Sequence, residues 1–155
     1  MAKVSAGLLL YRRGEGAWQV LLVHPGGPFF AKKDVGAWTI PKGEPLPEEE
    51  LLAAARREFQ EETGFSPDGP FLPLSPIKQK GGKLVHAWAA EGDFDVAELH
   101  SNSFSIEWPP RTGRQQNFPE IDRAEFFTLA EASEKINPGQ VALLREIGEI
   151  LEEIG

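Results

Sequence analysis

Two runs near the N-terminus, Val4 to Tyr11 and Trp18 to His24, are apolar almost throughout and flank "RRGEGA", so they predict a β-hairpin with a glycine-containing connection. "PGGPFFAKKDVG" (25–36) then reads as a flexible loop, followed by a short strand at Ala37 to Ile40 that Pro41 ends. From Pro47 the period changes. Leu51, Leu52, Ala55 and Phe59 recur at spacings of one, three and four residues and fall within an arc of about 100 degrees on a helical wheel. Pro47 suits the first helical position, Glu48 to Glu50 the positive end of the dipole, and Gly64 the C-terminal stop, which predicts a helix over 47–63. Beyond it, Phe71 to Lys80 and Lys83 to Glu91 flank two glycines and alternate as a second hairpin. Phe104 to Trp108 and Ala124 to Phe127 are further strands, separated by "PPRTGRQQNFPE", which reads as an ordered loop or lid. Leu129 to Ile136 predicts a short helix. Asn137 caps a longer one that Pro138 opens, with Val141, Leu144, Ile147, Leu151 and Ile154 as its buried stripe. Strands, one helix, more strands and then helices predict a mixed α/β or α+β fold, a sheet with helices packed on it.

The chain has 155 residues, 41% of them hydrophobic and 10% aromatic, which predicts one domain over 1–155 with a single sizeable core. A formal charge of -8 argues against a generic nucleic-acid or anionic-membrane surface, so no stable nucleic-acid complex is expected. Any phosphate-bearing ligand has to be met by local Lys and Arg, or by a metal. Cysteine is absent, which removes disulfides, thiolate zinc sites and cysteine nucleophiles and agrees with a reducing cytoplasm. "MAKVSAGLLLYRR" is too short and too interrupted for a signal peptide, and no stretch approaches the roughly 18 to 20 apolar residues of a membrane span. A soluble, cytoplasmic protein is expected.

The chemistry concentrates in "RREFQEETGF" (56–65), where Glu58, Glu61 and Glu62 fall within about 100 degrees of one another, beside the apolar arc rather than opposite it. Like charges three and four residues apart repel by a few tenths of a kcal/mol each. Three carboxylates at the edge of a core raise one another's pKa values unless something positive sits among them. A hard divalent cation meets that need, since Mg²⁺ is held by a few carboxylates together with substrate phosphates. Arg57 is adjacent, and Glu49, two turns upstream, is spaced to pair with it.

From Gly43 the chain reads Gly, five residues, Glu49, seven residues, then Arg57-Glu58-Phe59-Gln60-Glu61-Glu62-Thr63-Gly64-Phe65. This frame resembles the box of the Nudix hydrolases, G-x5-E-x7-R-E-U-x-E-E-x-G-U with U a bulky apolar residue. Every non-apolar position matches, and Phe59 and Phe65 stand where aliphatic residues are commoner. "WTIPKGE" (38–44) looks like the strand and turn that lead into the box.

The resemblance implies a mixed sheet sandwiched between helices and hydrolysis of a nucleoside diphosphate linked to another moiety, with Mg²⁺ or Mn²⁺ assisting. By the same resemblance Glu58, Glu61 and Glu62 are metal ligands, with the Gly43 carbonyl a further one. Arg57 orients the glutamates with Glu49 among its partners, and one glutamate, in the box or outside it, doubles as base. Glu120, six residues before Phe126, matches a metal-binding glutamate of the branch that cleaves dinucleoside polyphosphates. Lys42, one residue before the box, is placed to meet phosphate, and Lys80 and Trp38 are the other substrate-binding candidates. Lys32, Lys33, Lys78, Lys83, Arg111 and Arg114 are individually surface residues, some of which face the site. Phe29, Phe30 and Trp108 join Trp38 as aromatic platforms or core, while His24, His86 and His100 share no metal-ligand spacing.

"TIPKGE" and the Glu120 spacing favour nucleoside triphosphates or dinucleoside polyphosphates. ADP-ribose or another nucleotide sugar is the alternative, although Lys80 stands in the region where ADP-ribose cleavers often carry a proline. Dinucleoside polyphosphate cleavers often carry a tyrosine after the box, and the only tyrosine here is Tyr11. A non-catalytic nucleotide-binding module is disfavoured by the intact glutamates, and an isopentenyl-diphosphate-type isomerase by the absence of cysteine. Nudix proteins are often monomers or homodimers.

Overall fold

The structure, a computed structural model, describes residues 3–154. The first hairpin is present as β1 (Val4–Arg13) and β2 (Trp18–Pro25), antiparallel with Tyr11 opposite Val20. β3 (Lys42–Gly43) lies antiparallel on β1 at Ala6 and Gly7. After α1 (Leu51–Thr63) come β4 (Leu72–Pro73), β5 (Ile77–Lys78) and β6 (Leu84–Glu91), then β7 (Ser103–Glu107), β8 (Gln115–Pro119) and β9 (Ile121–Thr128). Two helices, α2 (Leu129–Lys135) and α3 (Val141–Ile154), complete the described chain. The main sheet runs β4-β6-β1-β2-β9, with β6 parallel to β1, β3 also on β1 and β5 also on β6, while β7 and β8 pair only with each other.

β1 and β2 read as unbroken apolar runs because both faces of the sheet are covered. Ala6, Leu8, Leu10, Leu21 and Val23 face Ala54, Ala55 and Phe59 of α1. Leu9, Tyr11, Val20 and Leu22 face Ala132 of α2 and Leu143, Leu144, Ile147 and Leu151 of α3. The resulting sandwich is the mixed α+β arrangement that the element order predicts.

Several boundaries differ from the sequence pattern. Ala37 to Ile40 is not a strand. Thr39 exchanges both backbone hydrogen bonds with Val23 (2.9 and 3.0 Å), and Trp38 bridges to Ile136, so this stretch is stitched to two neighbours and ladders with neither. α1 begins at Leu51 rather than at Pro47, because Glu48 takes a left-handed φ of 64° and Glu50 is extended. The second hairpin forms as two two-residue ladders on β6, as expected of an edge interrupted by Pro73 and Pro76. The expected lid contains β8, so "PPRTGRQQNFPE" is the turn and return strand of a projecting arm. The α3 stripe ends at Leu151, and Ile154 is exposed.

Candidate active site

Gly43 and α1 meet face to face. Built on the Gly43 backbone, a Cβ would lie 2.1 Å from Glu58 Cδ, so the Glu58 carboxyl fills the space a side chain would take. On the next turn of α1, Glu62 Oε2 accepts the Lys42 N–H at 3.0 Å. Arg57 binds the rest together. Its Nε and Nη2 donate to the two Glu49 oxygens (2.9 and 3.0 Å), its Nη1 donates to Glu58 (2.9 Å) and Glu61 (3.1 Å), and its Nη2 reaches the Glu44 carbonyl (3.2 Å). Glu49 also accepts the Leu46 N–H at 2.9 Å, which ties the 46–50 turn to the helix. With so many carboxylate partners the Arg57 guanidinium is held charged, above its ordinary range, chiefly by Glu49.

Glu120 comes to the same place by backbone bonding. At the C-terminal end of α1 the Thr63 carbonyl accepts the His100 N–H and the Glu61 carbonyl accepts the Asn102 N–H, both at 3.1 Å. The Glu120 N–H then donates to the Asn102 carbonyl at 2.8 Å. The Glu120 carboxylate is near enough to act electrostatically on both Glu58 and Glu62.

The electrostatics are those of a site short of positive charge. Burial first, then repulsion from Glu58, raises the Glu62 carboxyl to about 8, opposed by Lys42 and assisted more weakly by Glu120. Burial likewise raises Glu58, opposed by Arg57 and assisted by Glu61 and Glu120. The Glu58 side chain is only 15% exposed, whereas that of Glu61 is 35% exposed and opens toward solvent.

Beside the carboxylates lies a cleft of ≈ 570 Å³ lined by Lys42, Gln79, Lys80, Lys83, Asn137, Pro138 and Gly139. Lys42 is depressed by burial and then by Lys83, against the opposite pull of Glu62, Glu44 and Glu58, so the cleft concentrates positive charge. Sequence spacing gave no reason to single out Gln79 or Asn137, which are adjacent only through the fold.

Trp38 requires correction as a substrate-binding residue. It is 1% exposed on the α2–α3 side of the sheet, edge-on to Phe127 and His24, and its indole N–H donates to Asp34 at 2.8 Å, so no ring face is open to a ligand. Lys32, Lys33, Lys78, Arg111 and Arg114 are exposed. His24, without a role by spacing, is fully buried between Asp122 (2.7 Å) and the Lys33 carbonyl (2.7 Å). The signal available was its position in β2, on the same face as Val20 and Leu22.

The NUDIX domain profile matches residues 1–147. The chain belongs to the Nudix hydrolases. Solved structures of that fold superpose over almost the whole chain. An Ap4A hydrolase from C. elegans, in a binary complex, has a TM-score of 0.69 at 23% identity, covering 96% of this chain and 98% of its own. The NUDIX domain of Shewanella oneidensis NrtR, complexed with ADP ribose, has a TM-score of 0.69 at 16% identity over 97% and 89%. A mutT/nudix family protein from Listeria innocua has 0.65 at 18% identity over 98% and 96%. At these identities the likeness is one of fold. A comparison with curated protein sequences found no significant match.

Nudix enzymes use a divalent cation, and the residues here fit one. The donor set is oxygen throughout, Gly43 leaves room for the Glu58 carboxyl, and two of the carboxylates are pushed toward protonation by burial and by mutual repulsion. Among the described residues no three acidic or histidine side chains are already gathered as a coordination shell, because Glu58 and Glu61 are turned to Arg57. No helix of the described residues is long and apolar enough to cross a membrane.

Proposed function

We propose that the protein hydrolyses the phosphoanhydride of a nucleoside triphosphate or a dinucleoside polyphosphate. The observation that carries this reading is Lys42, whose N–H is held by Glu62 of the glutamate cluster and which lines a cleft together with Lys80 and Lys83. A chain of three or more phosphates carries more charge than a metal site alone neutralises, and Lys42, Lys80 and Lys83 supply point charges for the remainder. Likeness in fold to an Ap4A hydrolase agrees with this choice. Likeness to a domain that binds ADP ribose supports a nucleotide sugar as the second reading. A nucleotide sugar presents two phosphates and leaves Lys80 and Lys83 without work.

Glu58, Glu61, Glu62 and Glu120, with the Gly43 carbonyl, are the groups assigned to hold Mg²⁺ or Mn²⁺. A divalent cation bound there supplies charge neutralisation for the diphosphate and lowers the pKa of a bound water. Arg57, fixed by Glu49, sets the directions of Glu58 and Glu61 and releases them when a stronger positive partner arrives. Glu61 and Glu120, which open to solvent, are the groups assigned to accept the proton of the attacking water. Lys42, partly desolvated, holds a phosphate oxygen whose charge grows as the leaving phosphate departs.

The test is product release from a nucleotide panel with Mg²⁺ or Mn²⁺. Glu62→Gln is expected to lose at least about 100-fold in kcat, as when a metal ligand is removed. Equal turnover by the variant rejects the metal assignment. A preference for ADP-ribose over ATP and dinucleoside tetraphosphate would install the second reading.

A further inference from the structure

The loop 26–36 exposes an unusual amount of apolar surface. Phe29 is 57% exposed, Phe30 36% and Val35 73%. Clustered exposed hydrophobics of this kind mark a binding surface when the segment that displays them is held in place. This loop is held. The ring Nε2 of buried His24 donates to the Lys33 carbonyl at 2.7 Å, and Asp34 is fastened by the Trp38 indole N–H and by Lys135. The Gly26 N–H donates to the Glu120 carbonyl at 2.8 Å, and a Cβ at Gly26 would lie 2.0 Å from the Pro119 carbonyl oxygen, so the loop presses directly on the base of the β7–β8 arm.

The arm answers with aromatics on the side toward the loop. Phe104 lies against Gly27, where a Cβ would stand 2.8 Å from its ring. Trp108, four residues on and therefore on the same side of the strand, meets Phe29 edge to face, with ring centroids 5.4 Å apart at 76°. The turn beyond is braced by the Trp108 N–H on the Arg114 carbonyl and the Arg111 N–H on Glu107, both at 2.9 Å.

We propose that Phe29 and Trp108 form a platform on which the base of the nucleotide substrate stacks, while its phosphates reach back to the glutamates at the foot of the arm. An edge-to-face pair leaves each ring at least one face uncovered by the other, which is what a flat heterocycle requires. The direction is right: the arm starts at Asn102 and Glu120, beside Glu58 and Glu62, and four residues at about 3.3 Å each carry Trp108 about 13 Å outward from Phe104. That span is comparable with an extended nucleoside polyphosphate. The charge is right as well. Loop 26–36 carries two Lys against one Asp, and 103–119 two Arg against one Glu, on a chain whose total is -8.

The inference rests on the nucleotide reading above, and its test separates the two. Equilibrium titrations with Mg²⁺ compare a non-hydrolysable ATP analogue with imidotriphosphate, which has the phosphates but no base. Trp108→Ala and Phe29→Ala are expected to weaken the ATP analogue about 10- to 100-fold, the range of one base–aromatic stack. Imidotriphosphate should change by less than about twofold in both, and Trp108→Phe should stay within about threefold of the wild type for the ATP analogue, because it keeps a ring. Equal weakening of both ligands would mean a structural role and would overturn the platform. So would an unchanged affinity for the ATP analogue, or a wild type that binds the two ligands equally well. A dimer that Trp108→Ala dissolves without altering nucleotide affinity would assign the same surface to a second copy of the chain. None of these outcomes depends on turnover, whereas the hydrolase reading stands or falls on turnover by the wild type and Glu62→Gln.

Discussion

Gly43 has no side chain because Glu58 occupies its place. In Gly43→Ala the new Cβ would fall 2.1 Å from Glu58 Cδ, and the flexible end of Glu58 gives way before the β3 backbone does. The expected result is a fall in kcat of about tenfold or more with a loss of stability under about 1.5 kcal/mol, read by turnover and urea unfolding. Unchanged kcat would show that the position of Glu58 does not matter. Glu62 makes a second prediction, about pH. Its folded carboxyl is raised to about 8 from the ordinary 4.5, so protonation favours the native state. The stabilisation is complete below about 4.5 and is lost as pH rises through about 8, and the upward displacement of Glu58 acts in the same sense. In EDTA the melting temperature should therefore fall between about pH 5 and pH 9, by an amount corresponding to a few kcal/mol at most. Glu62→Gln should flatten most of that slope, and Mg²⁺ should restore stability at the alkaline end. A melting temperature that is level or rising across this range would contradict the burial of Glu62.

At the scale of elements, the entry to α1 is held by a latch rather than by a cap. Glu50 at the N-cap makes no side-chain bond, and the first turn has no acidic residue. Glu49 instead grips Arg57 through both oxygens and takes the Leu46 N–H. Glu49→Ala should lower the urea midpoint, because it removes hydrogen bonds made to a charged group. It should also lower kcat, since the freed guanidinium competes for Glu58 and Glu61; loss of stability with unaltered kcat would leave the latch structural only. This helix also explains what was legible in the sequence. A 3.6-residue period fixes which face each glutamate takes, so the frame from Gly43 to Phe65 carries its geometry with it, and Phe59 and Phe65 simply meet edge to face at 6.4 Å. The start of α1 is not legible in the same way, because Pro47 and three glutamates suit a helix N-terminus by their letters, while the left-handed Glu48 and the pairing of Glu49 with Arg57 delay the helix to Leu51. β8 is not legible in the sequence because "QQNFP" buries only Phe118 in part, and a strand without a covered face has no alternation to read. Trp38 was ambiguous for the converse reason. An aromatic in a short apolar stretch stacks on a ligand or fills a core with the same letters, and the choice belongs to its contacts with Phe127, His24 and Asp34.

The fold divides into a sheet that is covered on both sides and an arm that is covered only where Phe104 and Trp108 meet the 26–36 loop. β1 is bonded along its length to β6 and in part to β2 and β3, and Ser5 to Leu10 are buried. Among the described residues the β7–β8 ladder has no third strand, and apart from Phe104, Ile106 and Phe118 its strand residues are exposed. Its attachments are the His100 and Asn102 bonds to α1, the Glu120 bonds and the Phe104 and Trp108 contacts with the 26–36 loop. Native-state hydrogen exchange should reflect that division. Amides of β1 open only with global unfolding, whereas those of β7 and β8 open locally and should exchange at least about 100-fold faster. Arm amides as protected as those of β1 in the free protein would refute the division. The functional consequence follows from where the arm is rooted. Because its foot carries Glu120 and its bonds end on the carbonyls of Glu61 and Thr63, anything that orders the arm also restrains the last turn of the glutamate helix. A nucleotide with a divalent cation should therefore slow exchange in β7, β8 and the C-terminal turn of α1 together. Protection appearing in α1 alone would mean that the ligand meets the glutamates without touching the arm.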